Sequence, residues 1–239
     1  MVFSSDILSY LTGEKFSSGI SVRLSNSKTK IYNRLDLLTE LCSKKSVVHV
    51  GFADHLELIE PKIQKNQWLH KRIMDVSSQC IGVDLNEEAV IFVKEKLNIE
   101  NVYTSDLINS PPLEEITLNK WDILLLGEII EHIDNPVMFL KNLNDKYGSS
   151  VGSLIVTAPN AFRYKNAKVF MNKEEYINSD HRYWLTPYTL AKIGVEAGWN
   201  PVRFEYADGT RFPMRLFYQM FPVLGDTIIM IFTPRANDL

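Results

Sequence analysis

The residues best suited to chemistry stand in two places. The apolar run WDILLL (121–126) leads into Gly127, Glu128, Glu131 and His132, and a second histidine, His181, follows Asp180 at the start of DHRYWLTPYTL (180–190). Imidazole changes protonation near neutral pH, so His132 and His181 are the candidate bases, with Glu131 or Asp180 to orient a ring. Residues at i, i+3 and i+4 share a helical face, so Glu128, Glu131 and His132, joined by His181, would also suit one divalent cation. The spacing leaves both uses open, and no metal is assigned.

More carboxylates follow other apolar runs. Gly51, Ala53, Asp54 and His55 come after SVVHV, Asp84 and Leu85 after CIGV, and Asp106 and Leu107 after NVYTS. Something must bring these positions together. β-rich runs recur at 46–50, 80–84, 101–105, 121–126, 153–158, 202–206 and 226–232, and most are separated by segments of helical spacing such as 86–98, 135–147 and 186–199. Such alternation predicts an α/β fold, a Rossmann-like, doubly wound parallel sheet covered on both faces. In that architecture the ligand lies outside the carboxyl ends of the strands, where the winding reverses, which is where these carboxylates fall. A dinucleotide would need a glycine-rich turn at its pyrophosphate, and here Gly51 stands alone beside the negative Asp54. A ligand with ribose and adenine, no phosphate and a positive charge fits better, and S-adenosylmethionine has those properties. Asp54, Asp84, Asp106, Glu128 and Glu131 place negative charge where a diol, an amino group and a sulfonium would want it.

Composition sets the frame. The 239 residues carry a formal net charge of −3, 45% are hydrophobic and only two are cysteine. A disordered chain and a disulfide framework are excluded, and a protein built mainly to grip nucleic acid would be more basic. The first residues lack the pattern of a secretory signal and the longest apolar run, IIMIF (228–232), is too short to cross a membrane, so a cytoplasmic protein is expected. Residues 1–45 form an N-terminal arm, irregular over 5–30 and then helical through TKIYNRLDLLTELCSKK, ahead of the main domain at 46–239. The stretch 160–185 is long for a loop and is expected to be a lid or substrate-side insertion.

Taken in order, VVHVGFADH, CIGVDLNEEAV, VYTSDL, WDILLLGEIIEHIDNP, SLIVTAPNAF, DHRYWLTPYTL and GDTIIMIFTP resemble a class I S-adenosylmethionine-dependent methyltransferase over roughly residues 45–235. The resemblance implies a seven-stranded sheet with its last strand antiparallel. It implies that the Gly51 turn passes beneath the methionine part of the cofactor and that Asp84 holds the ribose hydroxyls, with Leu85 packing on adenine. Asp106 and the Leu107 backbone would meet the adenine, and the Leu126–Gly127 backbone the methionine amino group. Two positions depart from the family: His49 replaces an acidic residue and Ala53 a second glycine. The expected activity is methyl transfer to a hydroxyl of a small-molecule or glycan acceptor, with His132, His181 and Glu131 handling the proton and a homodimer as a further expectation. The E-x-x-E-H string also resembles metal-dependent small-RNA 2′-O-methyltransferases. A nicotinamide-dependent oxidoreductase and a non-catalytic cofactor-binding module are the remaining alternatives. Trp68 would either face the sulfonium or serve as the buried side of a helix. Tyr164, Phe170, Tyr176, Tyr183 and Trp184 would form an aromatic wall for the acceptor or pack the lid.

Overall fold

Every β-rich run of the sequence forms a strand in the computed structural model, which describes residues 1–53, 55–208 and 214–235. In chain order the strands are β1 (Ile31–Tyr32), β2 (Ser46–Val50), β3 (Gln79–Asp84), β4 (Val102–Thr104), β5 (Trp121–Gly127), β6 (Val151–Pro159), β7 (Trp199–Ala207) and β8 (Thr227–Pro234). They make one eight-stranded sheet in the order β1-β7-β8-β6-β5-β2-β3-β4, with β8 antiparallel to both β6 and β7. The count exceeds the seven expected because β1 lay inside a stretch read as helix. The Asn33 side chain accepts a hydrogen bond from the Asp36 amide and caps the helix there, so the two residues before it stay extended and pair with the β7 edge.

Both faces of the sheet are covered, as continuous apolar strands require. The period of two along β5 sends Leu124 and Leu126 into one layer with Trp199 and Phe204, and Ile123 and Leu125 into the other with Leu37, Leu38 and Ile229. The helices are α1 (Ser5–Leu11), α2 (Arg34–Cys42), α3 (Leu56–Gln64), α4 (Leu69–Val76), α5 (Glu87–Leu97), α6 (Glu114–Thr117), α7 (Pro136–Tyr147), α8 (Tyr164–Phe170), α9 (Pro187–Glu196) and α10 (Arg215–Met220), of which α8 buries no residue. Asn86, Asn135 and Thr186 cap α5, α7 and α9, and Pro136 and Pro187 stand in the first turn, where a missing N–H costs nothing. Phe3 and Leu11 of the N-terminal arm are buried in the main core. Among the described residues no helix is long and apolar enough to cross a membrane.

Two features position a site. The chain winds outward through β2, β3 and β4, then returns to lay β5 on the other side of β2, so the winding reverses between β2 and β5. The insertion 160–185 leaves the sheet edge and comes back beside it, its ends joined by a bridge between Asn160 and Leu185.

Candidate active site

A cleft of about 820 Å³ opens at that reversal, lined by Gly51, Trp68, Asp84, Gly127, Glu131 and His181 among others. Its floor needs glycine at one point. Gly51 has φ +68°, and a Cβ there would meet Ile129 Cδ1 at 2.7 Å. Across the reversal Glu128 also sits in the left-handed region, at φ 56°. For a non-glycine residue that conformation costs roughly 1–3 kcal/mol and persists only when its surroundings impose it. Thr157 supplies the constraint: its Oγ1 accepts from the Glu128 amide at 3.0 Å and donates to Glu128 Oε1 at 2.9 Å. Arg34, from α2, stands 3.9 Å from the same carboxylate.

Asp84 ends β3, and its carboxylate accepts the Ala53 and Asn86 amides, each at 3.0 Å. These bonds tie the turn after β2 to the end of β3 and leave further lone pairs for a ligand diol. Trp68 is 2% exposed and donates from Nε1 to the Phe52 carbonyl at 3.0 Å, so its indole is both a cleft wall and a brace for the Gly51 turn. Below it His49 and His70 form a buried pair with Nδ1 atoms 3.2 Å apart. One ring donates and the other accepts, so the two cannot both be protonated. Burial pushes His49 down to about 3, with Arg34 adding to the effect, and burial followed by His49 lowers His70.

On the lid side, Glu131, His132 and His181 each offer a ligand atom within 4.8 Å of the others. The rings of His132 and His181 meet edge to face with centroids 4.7 Å apart, and His181 Nε2 lies 3.9 Å from Glu131 Oε1. Backbone stitching brings them together. The Arg182 amide donates to the Glu131 carbonyl at 2.8 Å, the Arg182 guanidinium donates to the His132 carbonyl, and the Tyr183 hydroxyl donates to the Asp134 carbonyl at 2.7 Å. Glu131 is fully buried and neither carboxylate oxygen has a hydrogen-bond partner; His181 Nδ1 is in the same state. Burial, and then the neighbouring Glu128 charge, push the Glu131 carboxyl up to about 8. Burial, followed by His132 and Arg163, lowers His181. Orphaned polar atoms around a cavity are incomplete without something that pairs with them, a hydroxyl or a cation.

The expected site residues divide as follows. Gly51, Asp84, Gly127, Glu128, Glu131, His132 and His181 line one cleft. Leu107 and Leu126 are buried in the core, and Leu85 is 70% exposed outside the cleft lining. Asp106 is taken up by its own turn: its carboxylate accepts the Ile108 and Asn109 amides and the Asn109 side chain, bonds that lower it below the usual carboxylate range, the Asn109 amide most of all. Asp54 lies outside the described residues. The shared helical face for Glu128, Glu131 and His132 does not form, because residues Ile130–His132 make a single 3₁₀ turn and the left-handed Glu128 turns away to Thr157 and Arg34. Nor do the insertion's aromatics make one wall: Tyr164 packs on Phe217, Tyr176 faces Lys165 and Trp184 faces Arg163. The sequence reading missed Arg34 and Thr157, neither of which carries a motif. Only the proximity of their elements gives them a role.

No protein-family model matches the sequence, and no curated protein matches it significantly. Solved structures do match. The small RNA methyltransferase HEN1 superposes with a TM-score of 0.57 at 16% identity over 93% of this chain, which spans 28% of the length of that enzyme. The magnesium protoporphyrin IX methyltransferase ChlM from Synechocystis PCC 6803, solved with bound SAH, gives 0.53 at 12% identity over 83% of this chain and 81% of its own. The methyltransferase domain of bacterial CtHen1-CN gives 0.50 at 19% identity, covering 83% and 94%. The chain has the class I S-adenosylmethionine-dependent methyltransferase fold. In the methyltransferase fold the antiparallel strand inserted between β6 and β7 is β8, and the winding reversal at β2 and β5 holds the cleft just described.

Proposed function

We propose that this chain is an S-adenosylmethionine-dependent methyltransferase that methylates a hydroxyl of a small-molecule or glycan acceptor. The observation that carries the reading is the arrangement of one cleft. A glycine turn and the Asp84 carboxylate lie at the winding reversal, and unpartnered Glu131 and His181 atoms line the lid side. In such a transfer the acceptor oxygen displaces the thioether in line: the O–C bond forms, the C–S bond breaks and the hydroxyl proton leaves to a base. His132 or His181 takes that proton, and Glu131 fixes the geometry by pairing with an imidazole or with the hydroxyl. Asp84 and the Gly51 and Gly127 backbones hold the cofactor. His49, uncharged, stands where an acidic anchor is usual, so the methionine end is held by neutral hydrogen bonds.

Roles then separate by substitution. Asp84→Ala should weaken S-adenosylhomocysteine binding more than tenfold, whereas His181→Ala should lower turnover at least tenfold and leave that affinity nearly intact. Transfer of labelled methyl and equilibrium binding read the two effects. Equal loss of affinity in both variants would contradict the division.

One observation favours a second reading, metal-assisted transfer to an RNA 2′-hydroxyl. Glu131, His132 and His181 converge within the span of a cation site, and two of them have buried atoms without partners. The donors fit a borderline divalent ion, which would be held by those three residues and would supply Lewis-acid polarisation of an acceptor oxygen. Dialysis against EDTA followed by Mg, Mn or Co decides it. Unchanged turnover and no cobalt absorption band would dispose of the metal.

A further inference from the structure

Nine of the seventeen large exposed hydrophobics among the described residues fall in the insertion, in α10 or at the residue just after it, including Phe162, Phe170, Leu216, Met220 and Phe221. They are not scattered. Tyr164 of α8 packs on Phe217 of α10 with centroids 5.2 Å apart, so the two segments present one surface. Within it runs a groove of about 560 Å³, lined by Leu24, Phe162, Ala167, Phe170, Val223 and Leu224, with Ala161 and Asn166 completing it. An apolar concavity of this size is in the range that holds a small molecule, and exposed apolar patches mark interaction sites.

Two details indicate what lies there. The segment around α8 is shared between groove and cleft: Arg163 and Lys165 line the cleft, whereas Phe162, Asn166, Ala167 and Phe170 line the groove. The two cavities therefore share one wall segment, and a molecule long enough to cross it would reach both. The one amide side chain in the groove is already spent, since Asn166 donates to the Ala161 carbonyl and accepts from Arg163 Nε. A peptide would bring backbone N–H and C=O groups that this lining does not pair, at a cost of a few kcal/mol each. A hydrocarbon chain brings none. The groove's base is also fixed, because buried Asn160 donates to the Val223 and Gly225 carbonyls at 2.8 and 2.7 Å.

We propose that the acceptor is an amphiphile whose hydroxylated head enters the cleft while its aliphatic chain lies in the groove behind α8. The proposal rests on the methyltransferase reading above and narrows its acceptor class. It is tested by calorimetry with hexyl, octyl and decyl β-D-glucosides, each below its micelle concentration, on the full chain with and without saturating S-adenosylhomocysteine. Affinity should rise about fourfold per added methylene until the groove is full. Ala167→Trp fills the groove from an exposed position and should abolish the chain-length dependence, leaving S-adenosylhomocysteine affinity unchanged. A flat series, or a series that survives Ala167→Trp, would overturn the proposal. So would binding to phosphatidylglycerol vesicles without binding to monomeric glucosides, which would make the face a membrane surface. A dimer in sedimentation that Ala167→Trp dissociates would assign the face to a second copy and also overturn it. Chain-length-dependent binding with no affinity for S-adenosylhomocysteine would defeat the methyltransferase reading and leave the groove as a chain site.

Discussion

Glu131 has the least ordinary environment of any carboxylate described in the cleft. Its folded-state carboxyl is raised from 4.5 to about 8, so the folded protein holds a proton that the unfolded chain releases across that window. Stability therefore falls as pH rises from about 4.5 through 8. Glu131→Gln removes the titration, and its stability relative to wild type should improve by on the order of 4 kcal/mol between about pH 5 and pH 9. Thermal melts at both ends read the difference, and parallel pH curves would contradict it. The His49–His70 pair has the opposite sign. Both rings are held neutral, so the unfolded chain binds protons the folded one refuses, and stability falls as pH drops below 6.5 toward about 3. His49 contributes up to about 1.4 kcal/mol per pH unit in that window, and His70 acts in the same direction. His70→Leu should flatten the acid side of the melting profile; an unchanged profile would show that the pair does not govern it. At this scale the sequence was legible where type and motif coincide, as at Glu131, His132 and His181. It was silent on Arg34 and Thr157, whose roles come only from what packs beside them.

Elements decide whether those residues meet. The insertion reaches the sheet edge because Asn160 locks its root, and its Oδ1 also accepts the Phe162 amide at 3.1 Å. Asn160→Ala strands these buried groups and should cost roughly 2–3 kcal/mol while lowering turnover, with cofactor affinity changed much less. Thr186→Ala removes a reciprocal capping box at α9 and should cost about 1 kcal/mol with no effect on turnover. Denaturant melts beside methyl-transfer rates separate the two; matching effects on turnover would show that the lid root has no special part. The seven runs and α5, α7 and α9 could be read from periodicity and caps because those signals are local. β1 could not, since a two-residue edge strand exists only through its partner β7. The helical face proposed for Glu128, Glu131 and His132 failed for a related reason: Thr157, on a neighbouring strand, holds Glu128 in the left-handed region.

The whole molecule joins a cleft at the winding reversal to an insertion that covers it and to an apolar groove behind that insertion. The fold was legible because strand–helix alternation leaves few topologies; the groove was not, because its walls come from the arm, the insertion and the segment before β8. The mild acidity of the chain takes on meaning through placement, with Asp84 and Glu128 gathered in one cleft. The central claim is that this cleft binds the methyl donor. Titration calorimetry with S-adenosylhomocysteine tests it most directly: the account predicts saturable binding of one equivalent per chain, weakened more than tenfold on Asp84→Ala and kept on His181→Ala. No heat of binding at millimolar ligand would contradict it.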